Sequence, residues 1–326
     1  METIGGDGEQ MVAKRPRILQ RLLQLVALAS TVVFALAMLG YVVRDRTWWL
    51  ALLMYLPMPL IAPAAFVAQL AAMERQRWRR RMVVIVLAAV AALISLRGMV
   101  GRPVDGPTEG AIKVVQWNVQ WGRNGSGWTE TVRQIEQSKP DIIILSEAPS
   151  DEKILSLAAR LGAEWSITVA RNQPGARYWY AMAVMSRWPL SETHDVSLPN
   201  GAAHAVTIAT PGSPIRVLAV DGMSDPKIPR TPMHHAVAKM SASVDLIAGD
   251  FNAVSRSVEF DQLEAQGFHL VSHACDGWRG TYPANVPMYD IDHIWSGNLY
   301  VPFKCAMLDS PGTNHRGQVA YLQRSS

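Results

Sequence analysis

Cysteine is nearly absent: the 326 residues include only Cys275 and Cys305. Two such residues make neither a disulfide framework nor the paired spacing of a zinc site. One bridge between them is open if the domain faces an oxidising compartment, and two buried free thiols are the alternative. A basic surplus is also missing where a nucleic-acid surface needs one. Residues 1–81 hold 11 Lys/Arg against 5 Asp/Glu, whereas residues 82–326 hold 20 against 22, a net of −2. The pI near 9.1 therefore belongs to the N-terminal part. This argues against tight, nonspecific duplex binding by the remainder, which relies on Lys/Arg neutralising phosphates. No internal repeat or low-complexity stretch is evident.

Charge is absent altogether from three N-terminal runs. Leu22 to Val43 is long enough to span a bilayer core of roughly 30 Å. Trp48 to Met73 is a second uncharged run, interrupted by Pro57, Pro59 and Pro63. Met82 to Leu96 is a third, with Arg81 and Arg97 placed to snorkel at its ends. These predict three transmembrane helices at 22–43, 48–73 and 82–100, so that residues 1–100 form a membrane anchor. Lys14, Arg15, Arg17 and Arg21 precede the first run, and Arg75, Arg77, Arg79, Arg80 and Arg81 lie between the second and third. The positive-inside rule puts both groups in the cytoplasm and the rest of the chain outside the cytoplasmic membrane. If the short third run does not span, the C-terminal domain moves to the cytoplasm. The Gly/Pro-rich residues 101–111 read as a linker.

From residue 112 to 326 the pattern is that of a soluble α/β domain. Strands are expected at 112–117, 141–146, 165–170, 181–186, 203–209, 215–220, 244–248, 291–296 and 317–322. Helices are expected at 127–138, 151–160, 231–241 and 256–265. Several apolar strands end directly in a polar residue: VVQWN in Asn118, IIILSE in Glu147, RVLAVD in Asp221. In DLIAGDFN, Asp250 and Asn252 flank Phe251, and alternate residues of an extended chain face the same way. A carboxylate and a carboxamide thus look out together from a strand end, a pair suited to orienting a water. YDIDHIW adds Asp292, and TNHR adds Asn314 and His315. His293, one residue after Asp292, faces the opposite way and reads as structural.

The ordered set WNVQWG, LSEA, VMSRWPL, GDFN, IDHIW and NHR resembles the endonuclease/exonuclease/phosphatase superfamily, and in particular a membrane-anchored bacterial subgroup. That resemblance implies a four-layer α/β sandwich, two packed mixed sheets with outer helices. It also implies metal-assisted attack of water on a phosphate ester, with Mg²⁺ or Mn²⁺ as cofactor. By the same resemblance Glu147 is the direct metal ligand and Asn118 lies with it at the metal site. Asp250 positions or deprotonates the water, and Asn252 touches the phosphate. Asp292 orients His315, which stabilises phosphoryl charge. Three positions depart from the pattern. Asn314 stands where a carboxylate is usual, Gln120 where some members carry an acidic ligand, and Asp221 where many carry a histidine that serves as an acid. The leaving-group acid is left unassigned.

The expectation is a membrane-anchored, metal-dependent phosphodiesterase. Its substrate class stays open among nucleic acid, phospholipid headgroups and small phosphodiesters, and no protein partner is indicated. The rival reading is a catalytically impaired binding or sensor domain on the same fold.

Overall fold

The computed structural model describes residues 17–73, 78–106, 109–122, 125–162, 164–172 and 178–325. Four helices open the chain: α1 (Arg17–Val43), α2 (Trp48–Met54), α3 (Met58–Ala71) and α4 (Trp78–Gly98). There follow β1 (Val100–Gly101), β2 (Ile112–Asn118), α5 (Gly125–Ser138), β3 (Ile142–Ser146), α6 (Asp151–Arg160), β4 (Ser166–Arg171) and β5 (Ala181–Ser186). Next come β6 (Leu190–Leu198), β7 (Gly201–Ile208), β8 (Ile215–Gly222), α7 (Thr231–Met240), β9 (Leu246–Asp250) and α8 (Phe260–Ala265). The chain ends with β10 (His269–Leu270), β11 (Gly277–Trp278), β12 (Asp292–Ser296), β13 (Tyr300–Leu308) and β14 (Gly317–Arg324).

The N-terminal region corrects one expectation. Residues 48–73 do not form a single helix: α2 and α3 are separated by Tyr55–Pro57. Pro57 lacks an N–H and forces Leu56 out of the helical region, so the break falls where the sequence places it. Among the described residues two helices, not three, are long and apolar enough to cross a membrane, Arg17–Val43 and Arg81–Gly98. The third apolar run gains length by extending back to Trp78. Phe34, Ala37, Ala62, Ala65, Ala88 and Ala91 form the common core of α1, α3 and α4. Small alanines at the contacts let the helix backbones approach closely. Lys14, Arg15, Arg75 and Arg77, used above for orientation, lie outside the described residues.

The rest folds around two six-stranded mixed sheets, ordered β13-β14-β2-β3-β5-β4 and β10-β12-β9-β8-β7-β6. Only β2–β3 and β8–β9 pair in parallel within them. The alternation of each strand decides which layer its side chains enter. Val114, Ile142, Ile144, Val217, Ala219, Leu246, Ala248 and Ile294 meet between the sheets. Their neighbours Val115, Trp117, Ile143 and Leu145 pack under α5 and α6. Leu218, Val220, Ile247, Phe251 and Trp295 pack under α7 and α8. The layers therefore run helix, sheet, sheet, helix.

β6 and β13 were not expected from the sequence. Most of β6, LSETHDVSL, is solvent-exposed and polar, and β13 carries Pro302 beside a register shift. The helix expected at 256–265 starts only at Phe260. The segment read as a linker is pinned. Val100 and Gly101 pair with Trp278 and Gly277, and the Val104 N–H bonds the Phe303 carbonyl. Cys275 and Cys305 are joined by a disulfide, and among the described residues no cysteine is free.

Candidate active site

The inter-sheet faces of the central strands end at one rim, and register sets their polar residues side by side. Asp292 is opposite Asp250 across β12–β9, Asp221 is opposite Asp250 across β8–β9, and Asn118 is opposite Ser146, next to Glu147, across β2–β3. The glycine of GDFN has a physical reason. A Cβ on Gly249 meets the Val220 carbonyl oxygen at 1.8 Å, so only glycine lets β9 lie this close to β8. Beyond the strand ends the backbone turns sharply. Glu147 has φ +44°, Asn252 φ +48° and Gln120 φ +45°. Three non-glycine residues in this sparsely populated region at one rim mark a place where fold stability has yielded to side-chain direction.

Hydrogen bonds knit the rim together. The Asn118 amide donates to Asp250 Oδ2 at 2.9 Å and to Glu147 Oε1 at 3.3 Å, while its oxygen accepts the Gln120 N–H at 3.0 Å. Asp250 Oδ1 accepts the Asn252 N–H at 2.8 Å, and the Asn252 side-chain amide donates to the Gly222 carbonyl at 2.8 Å. His315 Nδ1 lies 2.8 Å from Asp292 Oδ2 and 3.9 Å from Asp250 Oδ2. The ligating atoms of Asp250, Asp292 and His315 all fall within 4.8 Å of one another. All the sequence-predicted residues except Asn314 join this network by side chain. The exposed Asn314 contributes its N–H, which donates to Gln120 Oε1 at 3.0 Å.

Burial sets the charges. The enclosed Asp250 carboxyl is raised to about 7 by desolvation and by the Asp292 charge beside it. For His315 burial acts the other way, but the bonded Asp292 carboxylate outweighs it and raises the imidazole to about 9. A base near neutrality thus sits next to a cationic ring. Burial also pushes Asp221 well above the carboxylate range, helped by Asp250 and Glu147, although its bond to Tyr178 works against the shift.

The Tyr178 hydroxyl donates to Asp221 Oδ1 at 2.5 Å and also lies 2.9 Å from the Gly222 carbonyl, so its single proton is shared between two acceptors.

Sequence reasoning missed several members of this network. Tyr178 holds Asp221, and Gln116 reaches Asp292 Oδ1 at 3.5 Å. Thr281 accepts the Asp292 N–H at 3.2 Å, and Gln318 donates to the Asp292 carbonyl at 2.6 Å. The alternation of β2 could have found Gln116, since it shares a face with Asn118; Tyr178 and Thr281 carry no local signal. His293 is buried on the helix side, with Nε2 2.7 Å from the Ala253 carbonyl.

A profile of the Endonuclease/Exonuclease/phosphatase family matches residues 115–315. Solved structures share the fold at low identity. A family protein from Bacteroides thetaiotaomicron is 14% identical with a TM-score of 0.54, covering 66% of this chain and 98% of that one. One from Bacteroides vulgatus is 13% identical with a TM-score of 0.53, covering 67% and 100%. The 3′ phosphatase NExo from Neisseria, bound to a product DNA hairpin, is 15% identical with a TM-score of 0.50, covering 65% and 100%. No curated protein matches.

Proposed function

The chain belongs to the Endonuclease/Exonuclease/phosphatase family, and from that premise we propose that it is a membrane-anchored phosphodiesterase dependent on a divalent cation. The observation that carries this reading is the convergence of Asn118, Glu147, Asp250, Asp292 and His315 on one rim, with Asp250 near neutrality beside a charged His315.

Asp250 and Asn252 hold the attacking water, and Asp250 takes its proton as the oxygen bonds to phosphorus. His315, oriented and kept protonated by Asp292, faces the charge growing on the phosphoryl oxygens. Asp221, whose carboxyl burial pushes toward the protonated form, is the candidate proton donor to the departing alkoxide. The carboxylates are hard oxygen donors that suit Mg²⁺ or Mn²⁺; Glu147 would be the direct ligand, with Asn118 orienting it through its amide. When bound, the ion supplies neutralisation of phosphate charge. Gln120 and Asn314 meet where more negative charge is usual, which lowers cation affinity without removing the proton-handling groups.

The anchor reading rests on the two long apolar helices and on which ends face the domain. Arg44 and Asp45 after α1, Tyr55 before α3 and Val100 after α4 all touch the catalytic domain. The opposite end carries Arg17, Arg21, Arg79 and Arg81. α3, 14 residues long, reaches only about 21 Å at 1.5 Å per residue, yet it returns the chain between α1 and α4. The positive-inside rule then puts the domain outside the cytoplasm, where the Cys275–Cys305 disulfide is at home.

The test is hydrolysis of bis(p-nitrophenyl) phosphate by the full chain in detergent with Mg²⁺ or Mn²⁺, and its loss in Asp250→Ala. Absence of turnover with either ion favours the binding or sensor reading, to which Gln120 and Asn314 point.

A further inference from the structure

Beside His315 lies a groove of about 890 Å³ that the mechanism above does not use. Trp278, Val286, Pro287, Met288 and Pro311 give it a mostly apolar wall. Val286 is 51% exposed, a branched aliphatic side chain held in the open. This volume falls in the range of small-molecule sites, which are apolar with a few polar groups.

Three features say what enters. First, the groove borders the catalytic rim. Asn314, which lines it, immediately precedes His315, and its carbonyl accepts the Ala284 N–H at 2.7 Å, tying the two walls together. Second, it offers no free cation. Among the described lining residues the only charged pair is Asp309 and Arg316, 2.6 Å apart. The Arg316 guanidinium also donates to the Trp278 and Gly280 carbonyls at 3.1 and 3.2 Å, so its donors are engaged within the protein. A polyanionic strand finds no Lys/Arg track here. Third, one wall of the groove, the 278–289 segment, is fastened at both ends to the apolar helices. Trp278 pairs with Val100, two residues past the end of α4. Tyr289, next to Met288, donates to the Tyr55 carbonyl at 3.0 Å and packs edge-on against the Tyr55 ring. On the anchoring proposed above, this wall therefore lies near the ends of those helices where they leave the bilayer.

We propose that the substrate is an amphiphilic phosphodiester, a phospholipid whose apolar part lies along the Val286–Met288 wall while its phosphate reaches the catalytic rim. This deepens the phosphodiesterase reading and rests on it. In the step itself the water oxygen bonds to phosphorus, one P–O ester bond breaks, and the departing oxygen takes a proton. The products are an alcohol and a phosphate monoester, with no redox partner needed.

The experiment uses the full chain in detergent with Mg²⁺ and four substrates: dioleoyl phosphatidylglycerol in mixed micelles, its deacylated counterpart glycerophosphoglycerol, single-stranded DNA, and bis(p-nitrophenyl) phosphate. The expected result is a kcat/KM for the lipid at least tenfold above those for the deacylated ester and for DNA. Val286→Ser and Met288→Ser should each cut lipid turnover several-fold more than they cut turnover of the small ester. Melting curves of both variants show that they fold, and the two changes stand in for each other if one does not. Hydrolysis of the small ester with no preference for the acylated lipid, with preference for DNA, or with equal losses in the variants overturns the lipid assignment and leaves the phosphodiesterase reading standing. No turnover of any substrate overturns both.

Discussion

The hydroxyl of Tyr55, in the break between α2 and α3, donates a 2.8 Å hydrogen bond to the main-chain carbonyl of Asn252. Asn252 sits at φ +48° with its N–H on Asp250 and its side chain on Gly222, so Tyr55 supplies a further restraint on it. Neighbouring contacts grip the same loop. Arg44 makes a two-pronged pair with Asp261 at 2.6 and 2.8 Å, and Asp45 accepts from Ser257 and from the Val258 N–H. Tyr55→Phe keeps the ring and removes the bond. One hydrogen bond is worth about 0.5–1.5 kcal/mol, so kcat should fall about 2–10-fold with KM little changed. Steady-state kinetics of the full chain check this. A loss confined to KM shows that Tyr55 acts on binding instead.

The pH profile follows from the two raised groups. Asp250 must be ionised to accept a proton, so kcat/KM should rise through about pH 7. His315 must stay charged, so it should fall through about pH 9. The result is a bell with its plateau between these values. His315→Gln should lower the rate and remove the alkaline limb, which a pH series on both proteins will show.

Asp250 also sets a stability cost. Its folded pKa, about 7, lies above the ordinary 3.8. Stability is thus fully present at low pH and is lost as pH rises through 7, where a buried carboxylate must ionise. Asp250→Asn removes that loss. It should raise the melting temperature at pH 8 while abolishing hydrolysis, and the gain should shrink as pH falls below 7 and vanish below 3.8. A melting temperature unchanged at pH 8 means that Asp250 is not raised in the folded chain.

Strand ends were legible because a period of two is a strict rule. Once VVQWN and LIAGD are extended, Gln116, Asn118, Ala248 and Asp250 have no choice of side, and the structure puts them on the inter-sheet face; Asn252, expected to share that face by the same alternation, instead lies past the strand end at φ +48° with its side chain on Gly222. What was illegible had partners far away in sequence. Tyr178 meets Asp221 43 residues on, and Tyr55 meets Asn252 197 residues on. Neither tyrosine stands in a pattern that asks for a partner. The short helices failed for another reason. Composition treats residues 48–73 as one uncharged run, but Pro57 acts on backbone geometry, which hydropathy does not see.

Gly249→Ala tests the strand-packing argument. The added carbon overlaps the Val220 carbonyl, and backbone must shift to admit it. A destabilisation of about 1–3 kcal/mol is expected, read as a lower denaturation midpoint, with activity lost in parallel because Asp250 moves. A variant that melts like the parent contradicts the close approach of β9 to β8.

Cation affinity should respond to the neutral pair at the rim. Chelation should stop turnover, and Gln120→Asp should lower the Mg²⁺ concentration for half-maximal rate about tenfold, by adding one oxygen charge to the site. Titration calorimetry with Mg²⁺ alone gives a second readout. An unchanged requirement places Gln120 outside the ion's reach.

The pinning of residues 100–104 to the domain they introduce has a consequence for reach. A catalytic head on a slack leash sweeps a hemisphere and samples whatever diffuses through it. This head is clasped by its own stalk through Val100, Gly101 and Val104 and again through Arg44 and Tyr55, so it keeps one tilt. With α1 and α4 anchored as proposed, the protein would patrol a surface and not a volume, meeting only what drifts laterally to it.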